Sequence, residues 1–379
     1  MEKKSRKKII LWIILSIVLF FGLWAVLYIH YSTPTRLAME YIYNHTQPDG
    51  RFIYKTNPDS DVKYDKSEYN EVRHAGVLYS MYLAEIIRKD RLLKKQRIMA
   101  SQYFVDNYVR KIANDMFVVI NHSNWASLGG AGLGLVALSN LYPDGYVKID
   151  VLRGLGKFIV YLQNPDGSFN HEYDTSTGKF MAYKSDYYPG EAALGLLYLY
   201  EVDKNKLWVD SARKALLYLA KKSSESKEEP YFDHWMLIAT KKLFETPDNG
   251  LTDKEKKILR KTARDLSSYI TGRQILYPDD PFLGSFLLTK SLNSVSTITE
   301  GLGAAYYIVE DKPAKIRISK AIKLSSKYLD KHQIKEGKLV GGIPAKPDWY
   351  RSANKNDGEI RIDNVQHALS AWLTSKNIK

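Results

Sequence analysis

The segment GGAGLGLVAL at residues 129–138 consists almost wholly of glycine, alanine and aliphatic residues. Two later segments are similar in character, GEAALGLLYL at residues 190–199 and EGLGAAYY at residues 300–307. A helix that is small or apolar all the way round has to be enclosed by neighbours, because a helix at the surface keeps one polar face. Glycine also lets a second backbone approach closely. The glycines expected at close helix contacts are Gly130, Gly195 and Gly303.

Outward from these segments, the chain alternates between two kinds of predicted helix. Amphipathic, charged helices are predicted at residues 35–44, 91–112, 149–162, 207–222, 252–270 and 314–331. Apolar or small-residue helices are predicted at residues 69–88, 127–141, 188–202, 232–244, 297–310 and 364–375. The alternation predicts an all-α domain over residues 30–379, in which six outer–inner hairpins close into an (α/α)6 toroid. An open superhelix of the same hairpins is the alternative.

Two turns share one pattern, QPDGRF at residues 47–52 and QNPDGSF at residues 163–169. Both follow a predicted outer helix, where proline and glycine favour a turn and the phenylalanine can return to the core. In this pattern the sequence resembles the (α/α)6 toroid and six-hairpin glycosidase superfamilies, in which a Q-x-x-x-G-x-aromatic turn recurs after outer helices. A third occurrence, QIKEGK at residues 333–338, lacks the aromatic residue. The resemblance implies a carbohydrate-active enzyme.

Residues 9–29 read IILWIILSIVLFFGLWAVLYI, an apolar run of the length that spans a bilayer, which is about 20 residues. Five of the eight residues before the run are basic, and the residues after it are nearly neutral. By the positive-inside rule, residues 1–8 are a cytoplasmic tail and residues 30–379 lie outside the cytoplasm in a single-pass cell-membrane protein. A cleaved signal peptide is the alternative, although the run exceeds the usual signal core of about 7–15 residues.

The composition excludes several kinds of site. The chain has no cysteine, which removes thiol catalysis, cysteine-ligated zinc and disulfides. Its net charge of +14 is spread along the predicted helices without the clustered pattern of a nucleic-acid module, so no nucleic-acid partner is expected. The spacing of histidines and carboxylates matches no known metal site, and there is no G-x-S-x-G or P-loop pattern. We therefore expect neither a metal nor a cofactor.

The predicted loops that lead into the inner helices are long, and those that leave them are short. The long loops are residues 113–126, 164–187, 271–296 and 335–363. Long loops on a rigid scaffold tend to carry function. The site is therefore predicted at the N-terminal ends of the inner helices, where the helix dipole also favours acidic groups and anionic ligands.

Five of the six predicted inner helices begin with an acidic residue or a histidine at an equivalent position. Glycoside hydrolysis needs one carboxylic acid to protonate the leaving oxygen and a second group to activate water or attack the sugar. The catalytic candidates are Glu191, Glu300, Asp363, His74 and His234. The candidates for substrate binding, some of them aromatic side chains that can stack on sugar rings, are Arg73, Trp125, Tyr187, Tyr188, Asp233, Trp235 and His367.

The leading prediction is a membrane-anchored, extracytoplasmic glycoside hydrolase that acts on a cell-surface or exported polysaccharide. Glu191 and Glu300 are its predicted acid and base. The second prediction is a polysaccharide lyase or uronyl epimerase, in which Arg73 neutralises the substrate carboxylate. The base that removes a proton is then His74, His234 or Tyr188. The third is a non-catalytic toroid that binds a glycan or a partner protein in an envelope assembly.

Structural roles compete with these assignments. Glu191 and Glu300 are predicted in first helical turns, where an acidic residue also complements the dipole. Asp363 could be an N-cap. His74 and His367 could be core histidines whose hydrogen bonds are satisfied internally.

Overall fold

The computed structural model describes residues 33–57, 69–89, 91–113, 115–121, 123–226, 230–351 and 355–378. The predicted cytoplasmic tail and membrane helix lie outside these ranges. Within them, no helix combines the length and the apolar character that crossing a membrane requires.

The described helices alternate between an outer and an inner ring, as predicted. The outer helices are α1 (Pro34–Asn44), α3 (Arg91–Tyr108), α5 (Ile149–Leu162), α7 (Lys206–Glu225), α9 (Asp253–Thr271) and α11 (Lys312–His332). The inner helices are α2 (Glu71–Arg88), α4 (Leu128–Ser139), α6 (Tyr188–Asp203), α8 (His234–Glu245), α10 (Leu292–Ile308) and α12 (Ile362–Ser375).

The inner helices form a closed ring. Each inner helix packs against the next, from α2 through α4, α6, α8 and α10 to α12, and α12 packs back against α2. An open superhelix would leave its first and last repeats apart. The N-terminal ends of the inner helices therefore gather at one end of the ring, which we call the long-loop mouth. Their C-terminal ends gather at the other, which we call the short-loop mouth.

Glycine sets the close contact between α4 and α6. A β-carbon on Gly195 would lie 2.3 Å from the carbonyl oxygen of Gly132, so the two backbones touch. A β-carbon on Gly130 would lie 2.9 Å from Cγ of Glu71 in the neighbouring helix α2. Both positions confirm the predicted close contacts, since any larger side chain would force the helices apart.

Gly303 behaves differently from these two glycines. Within 4 Å, a β-carbon at this position would meet only the Thr374 hydroxyl oxygen, at 3.5 Å, which is an ordinary contact. The prediction of a close helix contact at Gly303 is therefore wrong. This glycine borders open space inside the ring.

A tight glycine turn recurs four times around the outer ring. Gly50, Gly167, Gly284 and Gly341 all have positive φ, between 87° and 95°. A β-carbon on any of them would come within 2.5 Å of a backbone carbonyl oxygen of the next outer helix. Glycine is thus required at each turn for two reasons, its positive φ and the close approach of the next outer helix.

A glutamine beside the turn joins neighbouring outer helices. The amide of Gln163 donates to the carbonyl oxygen of Ser211 at 3.0 Å, and the amide of Gln274 donates to that of Ala321 at 2.9 Å. Gln333 does the same to Pro34 at 2.9 Å, which closes the outer ring. The sequence pattern missed the Gln274 turn because ten residues separate this glutamine from its glycine, Gly284.

The strands are short and lie in the loops that lead into inner helices. Helix α3 ends at Tyr108 and not at the predicted residue 112, because Val109–Ala113 (β2) pairs with Met116–Val119 (β3). The other strands are β1 (Lys55–Thr56), β4 (Trp125–Ser127), β5 (Glu172–Asp174), β6 (Lys179–Phe180) and β7 (Ile360–Arg361). Among the described residues the largest sheet has three strands, β4, β5 and β6, so the core is helical.

Candidate functional site

Glu300 lies inside the ring, where groups from three inner helices meet. Helix α10 begins at Leu292, so Glu300 is in its third turn and the prediction of a first-turn position is wrong. Its Oε2 atom lies 2.7 Å from Nδ1 of His367 and 3.8 Å from Nε2 of His234. The Ser370 hydroxyl donates to Oε1. His367 and Ser370 face the same carboxylate because residues three apart share one face of a helix.

His234, the first residue of α8, is deeply buried and poorly satisfied. It is 2% exposed, and neither ring nitrogen has a hydrogen-bond partner in the described part of the chain. Its ring lies edge-on to Tyr187 and to His367, with centroid distances of 5.7 and 5.3 Å. Burial, and then the proximity of His367, lower the pKa of His234 well below its ordinary value. The imidazole is therefore neutral at physiological pH and able to accept a proton.

The same three side chains, His234, Glu300 and His367, could hold a metal ion. One ligand atom from each lies within 4.8 Å of the others. Two imidazoles and a carboxylate form a donor set that suits zinc or ferrous iron. The sequence spacing predicts no such site, because the three residues come from separate helices and share no short motif.

Glu191, in the first turn of α6 as predicted, is an unusual carboxyl group. It is 3% exposed, and its Oε2 atom has no hydrogen-bond partner among the described residues. Burial, with the Glu71 carboxylate as the second cause, raises the pKa of Glu191 to about 8. The side chain is therefore largely protonated at neutral pH, which is the state that a general acid needs.

Glu71 is a neighbour that the sequence reasoning did not select. It is buried in the first turn of α2 and accepts a hydrogen bond from the Ser127 hydroxyl at 2.8 Å. A signal was present, since Glu71 is an acidic residue at the start of an inner helix, like the candidates that were selected. The sequence analysis named His74, near the same helix start, as the catalytic candidate instead.

Asp233 is the N-cap of α8. Its two carboxylate oxygens accept hydrogen bonds from the backbone N–H groups of Trp235 and Met236, at 2.8 and 3.1 Å. Burial, with Glu191 as the second cause, raises the pKa of Asp233 well above its ordinary value. The fully buried side chain caps a helix, so the structure does not place it where it could bind substrate as predicted.

Arg73 and Asp363 meet at the long-loop mouth. The Asp363 carboxylate lies 3.7 Å from Nε of Arg73 and 3.1 Å from Nε of Arg361. Arg361 and not Asp363 is the N-cap residue of α12, so the capping alternative for Asp363 is wrong. Asp363 lies one turn before His367 on the same helix, which places this charged group beside the central cluster.

The predicted aromatic residues fall into two groups. Trp125 and Tyr187 are 41% and 50% exposed at the long-loop mouth and are open to a ligand. Trp235 is buried, with its ring 4.8 Å from that of His234, and forms a wall of the cluster. Tyr188 is half-buried, and its ring packs toward Gly129, whose β-carbon position it would clash with.

His74 is the candidate that the structure does not bring to the site. It is fully buried and points at the outer ring, where its Nε2 atom lies 2.8 Å from the carbonyl oxygen of Ala100 in α3. Its Nδ1 atom bonds to the Tyr69 hydroxyl, and its ring packs among Phe52 and Phe104. The prediction that His74 lines the mouth is wrong, because α2 turns this position toward α3.

Comparison with known proteins identifies the fold of this chain but assigns it to no family. No protein-family model matches the sequence, and no curated protein matches it. Solved structures do match over nearly the whole chain. An inactive variant of the α-1,6-mannanase GH76A of a Salegentibacter species, in complex with α-1,6-mannotriose, is 12% identical with a TM-score of 0.61, covering 91% of this chain and 99% of that one.

Two further solved structures are similar to the same extent. A D-mannose isomerase is 13% identical with a TM-score of 0.64, and the match covers 90% of this chain and 96% of that one. A sugar epimerase from a ruminal bacterium is 13% identical with a TM-score of 0.67, with the same coverage. At this identity the likeness shows the fold alone, which is the predicted (α/α)6 toroid.

Proposed function

We propose that the protein is a membrane-anchored, extracytoplasmic enzyme that acts on a saccharide by proton transfer. The observation that carries the proposal is the placement of Glu300 between the imidazoles of His367 and His234. The similar solved structures are a mannanase, a mannose isomerase and a sugar epimerase, so saccharides are the best-supported class of substrate. The exposed Trp125 and Tyr187 offer stacking faces at the mouth.

The cluster suits epimerisation or isomerisation better than hydrolysis. Neutral His234 can remove a proton from a sugar carbon next to a carbonyl or carboxylate group. His367, whose ring is held by Glu300, can deliver a proton to the neighbouring atom or to the opposite face. One C–H proton leaves and one returns, so the reaction needs no oxidant or reductant.

Hydrolysis is the second candidate, and one observation favours it. Glu191, with its pKa raised to about 8, is a neutral acid that could protonate a glycosidic oxygen. A glycosidase also needs a second carboxylate across an open cleft, about 5–9.5 Å away. Glu300 borders a cavity whose lining does not include Glu191, so the two carboxyl groups do not face each other across that cavity. Epimerisation therefore has the stronger geometric support.

Deuterium uptake distinguishes the two reactions. The full chain in detergent is incubated in D2O with D-mannose, cellobiose or α-1,6-manno-oligosaccharides, and the products are followed by NMR. Proton transfer predicts deuterium at one sugar carbon without cleavage. His234→Asn and His367→Asn should each lower the rate by at least ~100-fold, as expected for the loss of a general acid or base. His332→Asn, on the outer helix α11, is the matched control and should keep full activity.

Other outcomes would replace the proposal. New reducing ends without deuterium, together with an inactive Glu191→Gln variant, would assign hydrolysis. Activity that is lost in EDTA and restored by a divalent cation would make His234, Glu300 and His367 a metal site. Saccharide binding without turnover would favour the non-catalytic alternative.

A further inference from the structure

A cavity of about 420 Å³ opens at the short-loop mouth, opposite to the predicted site. It is bordered by the C-terminal halves of inner helices, and its lining includes the buried Glu300. The other lining residues that matter to its chemistry are Tyr79, Tyr82, Tyr198, Gly303 and Tyr307. The cavity has the size of small-molecule sites, which are about 300–1,000 Å³.

The position of Gly303 indicates that the cavity binds a ligand. Glycine inside a helix costs about 1 kcal/mol relative to alanine, so a buried helical glycine usually marks a close contact with a neighbour. Among the described residues Gly303 has no such contact, because a β-carbon there would meet only Thr374, at 3.5 Å. The space above this glycine belongs to the cavity. Helix packing therefore does not explain the glycine, whereas a ligand that approaches the backbone of α10 does.

Three tyrosine hydroxyls face the same space without a partner from the protein. Tyr79 and Tyr198 are only 3% and 7% exposed, and Tyr82 lies beside them. Within the described ranges, no hydrogen bond is made by the hydroxyl of any of the three. None of the three hydroxyls is among the buried side-chain atoms that lack a partner, so each is accessible from the cavity. A ligand in the cavity can therefore supply hydrogen-bond partners for these hydroxyls.

The charges at the rim balance each other. Lys241 pairs with Glu245 at 2.7 Å, and Lys242 pairs with Glu201. Each lysine also lies over a tyrosine ring, at 5.4 and 4.3 Å from the centroid. The rim therefore provides hydrogen-bonding groups and aromatic faces without a net charge that would select an ion.

We propose that this cavity is a second binding site, which takes a neutral saccharide of one or two sugar rings from the short-loop mouth. The tyrosine rings match the apolar C–H faces of a sugar, and their hydroxyls match its hydroxyl groups. Glu300 closes the inner end and offers an acceptor to a sugar hydroxyl. The cavity shares Glu300 with the proposed reaction site, but His234 and His367 are not among its lining residues, so binding here can be measured without turnover.

The test compares two substitutions of one glycine. D-Mannose, cellobiose and D-glucuronate are titrated into the full chain in detergent by isothermal calorimetry and saturation-transfer NMR. We expect the neutral sugars to bind more tightly than glucuronate. Gly303→Ala fits the open space and should keep binding, whereas Gly303→Leu fills the cavity and should weaken it by at least ~10-fold. Trp125→Ala removes an exposed aromatic face at the long-loop mouth and should leave binding at the short-loop mouth unchanged.

Several results would overturn the second site. One is a folded Gly303→Leu variant that binds the neutral sugars as the wild type does. Another is equal loss in Trp125→Ala, which would place all binding at the long-loop mouth. A third is binding only to vesicles of anionic phospholipid. If Gly303→Leu fails to fold, the Tyr79→Phe and Tyr198→Phe variants replace it, and each should weaken sugar binding without a change in volume.

Discussion

The carboxyl of Glu191 shows how burial can decide the state of a single side chain. Its helix N-terminus favours the charged form, yet burial and the nearby Glu71 outweigh the dipole and raise the pKa to about 8. In the unfolded chain the same group titrates near 4.5. Between these values the folded protein holds a proton that the unfolded chain has released. The stability contributed by this site is therefore lost as pH rises through that window.

The Glu191→Gln variant should remove part of this pH dependence. We expect the wild-type free energy of unfolding to fall between pH 5 and pH 8, by up to ~1.4 kcal/mol per pH unit from this group. Asp233 shifts in the same direction and keeps part of the slope in the variant. Urea unfolding at several pH values measures the effect. Glu225→Gln, on the exposed end of α7, is the control, and equal slopes in all three proteins would contradict the assignment.

His74 gives a second prediction at this scale, because its bonds to Tyr69 and Ala100 join α2 to neighbouring structure. His74→Leu should lower the free energy of unfolding by ~1–3 kcal/mol, since it leaves buried polar groups without partners. Saccharide turnover per folded molecule should stay at the wild-type level. Denaturant unfolding and an activity assay on the same sample check both parts. A stable but inactive variant would contradict this structural role and indicate that His74 is catalytic.

At the scale of elements, the glycine turns specify how outer helices meet. The shared segment P-D-G-x-F identified two of them, although the glycine follows its glutamine by three residues at Gly50 and by four at Gly167. The start of α10 was misplaced for a local reason. Its first turn is rich in serine and asparagine, residues that equally favour loops, and Ser291 makes no side-chain capping bond.

Two glycines with similar backbone angles should respond differently to alanine. Gly284 has φ +93°, and its β-carbon would lie 2.5 Å from the carbonyl oxygen of Leu324. Gly337 has φ +81° but no atom within 4 Å of that position. Gly337→Ala should cost only the backbone strain, ~1 kcal/mol, whereas Gly284→Ala should cost at least ~2 kcal/mol because the next outer helix must also move. Denaturant midpoints measure both, and equal costs would show that the close approach contributes nothing.

At the scale of the whole molecule, the proposed anchor sets where the toroid works. The apolar run at residues 9–29 ends only a few residues before α1 begins at Pro34. An extended chain covers at most ~3.6 Å per residue, so an anchored toroid has to stay beside the bilayer. Substrates at a cell surface would then be within reach.

A reporter fused to the C-terminus tests this topology. A reporter that is active only in the cytoplasm should be inactive on the full chain, because the basic flank keeps the N-terminus inside. Deleting residues 1–32 should restore its activity and serves as the control. Strong activity on the full chain would reverse the orientation, and release of a shorter soluble form would indicate a cleaved signal peptide.

The sequence by itself determined the outer and inner rings and two of the turns. The fraction of a helix circumference that is apolar reflects how completely neighbouring helices enclose it. This fraction can be read from a single segment of the sequence. The candidates at helix starts followed from the same register, and His234 and Glu191 did prove to be buried at these positions.

Only the tertiary structure decided which side chains meet. His234, Glu300 and His367 come from three helices, and their contact depends on how each helix is rotated about its axis and shifted along it. The rotation of α2 turns His74 toward the outer ring, and that of α10 turns Gly303 toward open space. Such rotations are fixed by packing among all six inner helices at once, since the interior is close-packed. No single segment of the sequence contains that information.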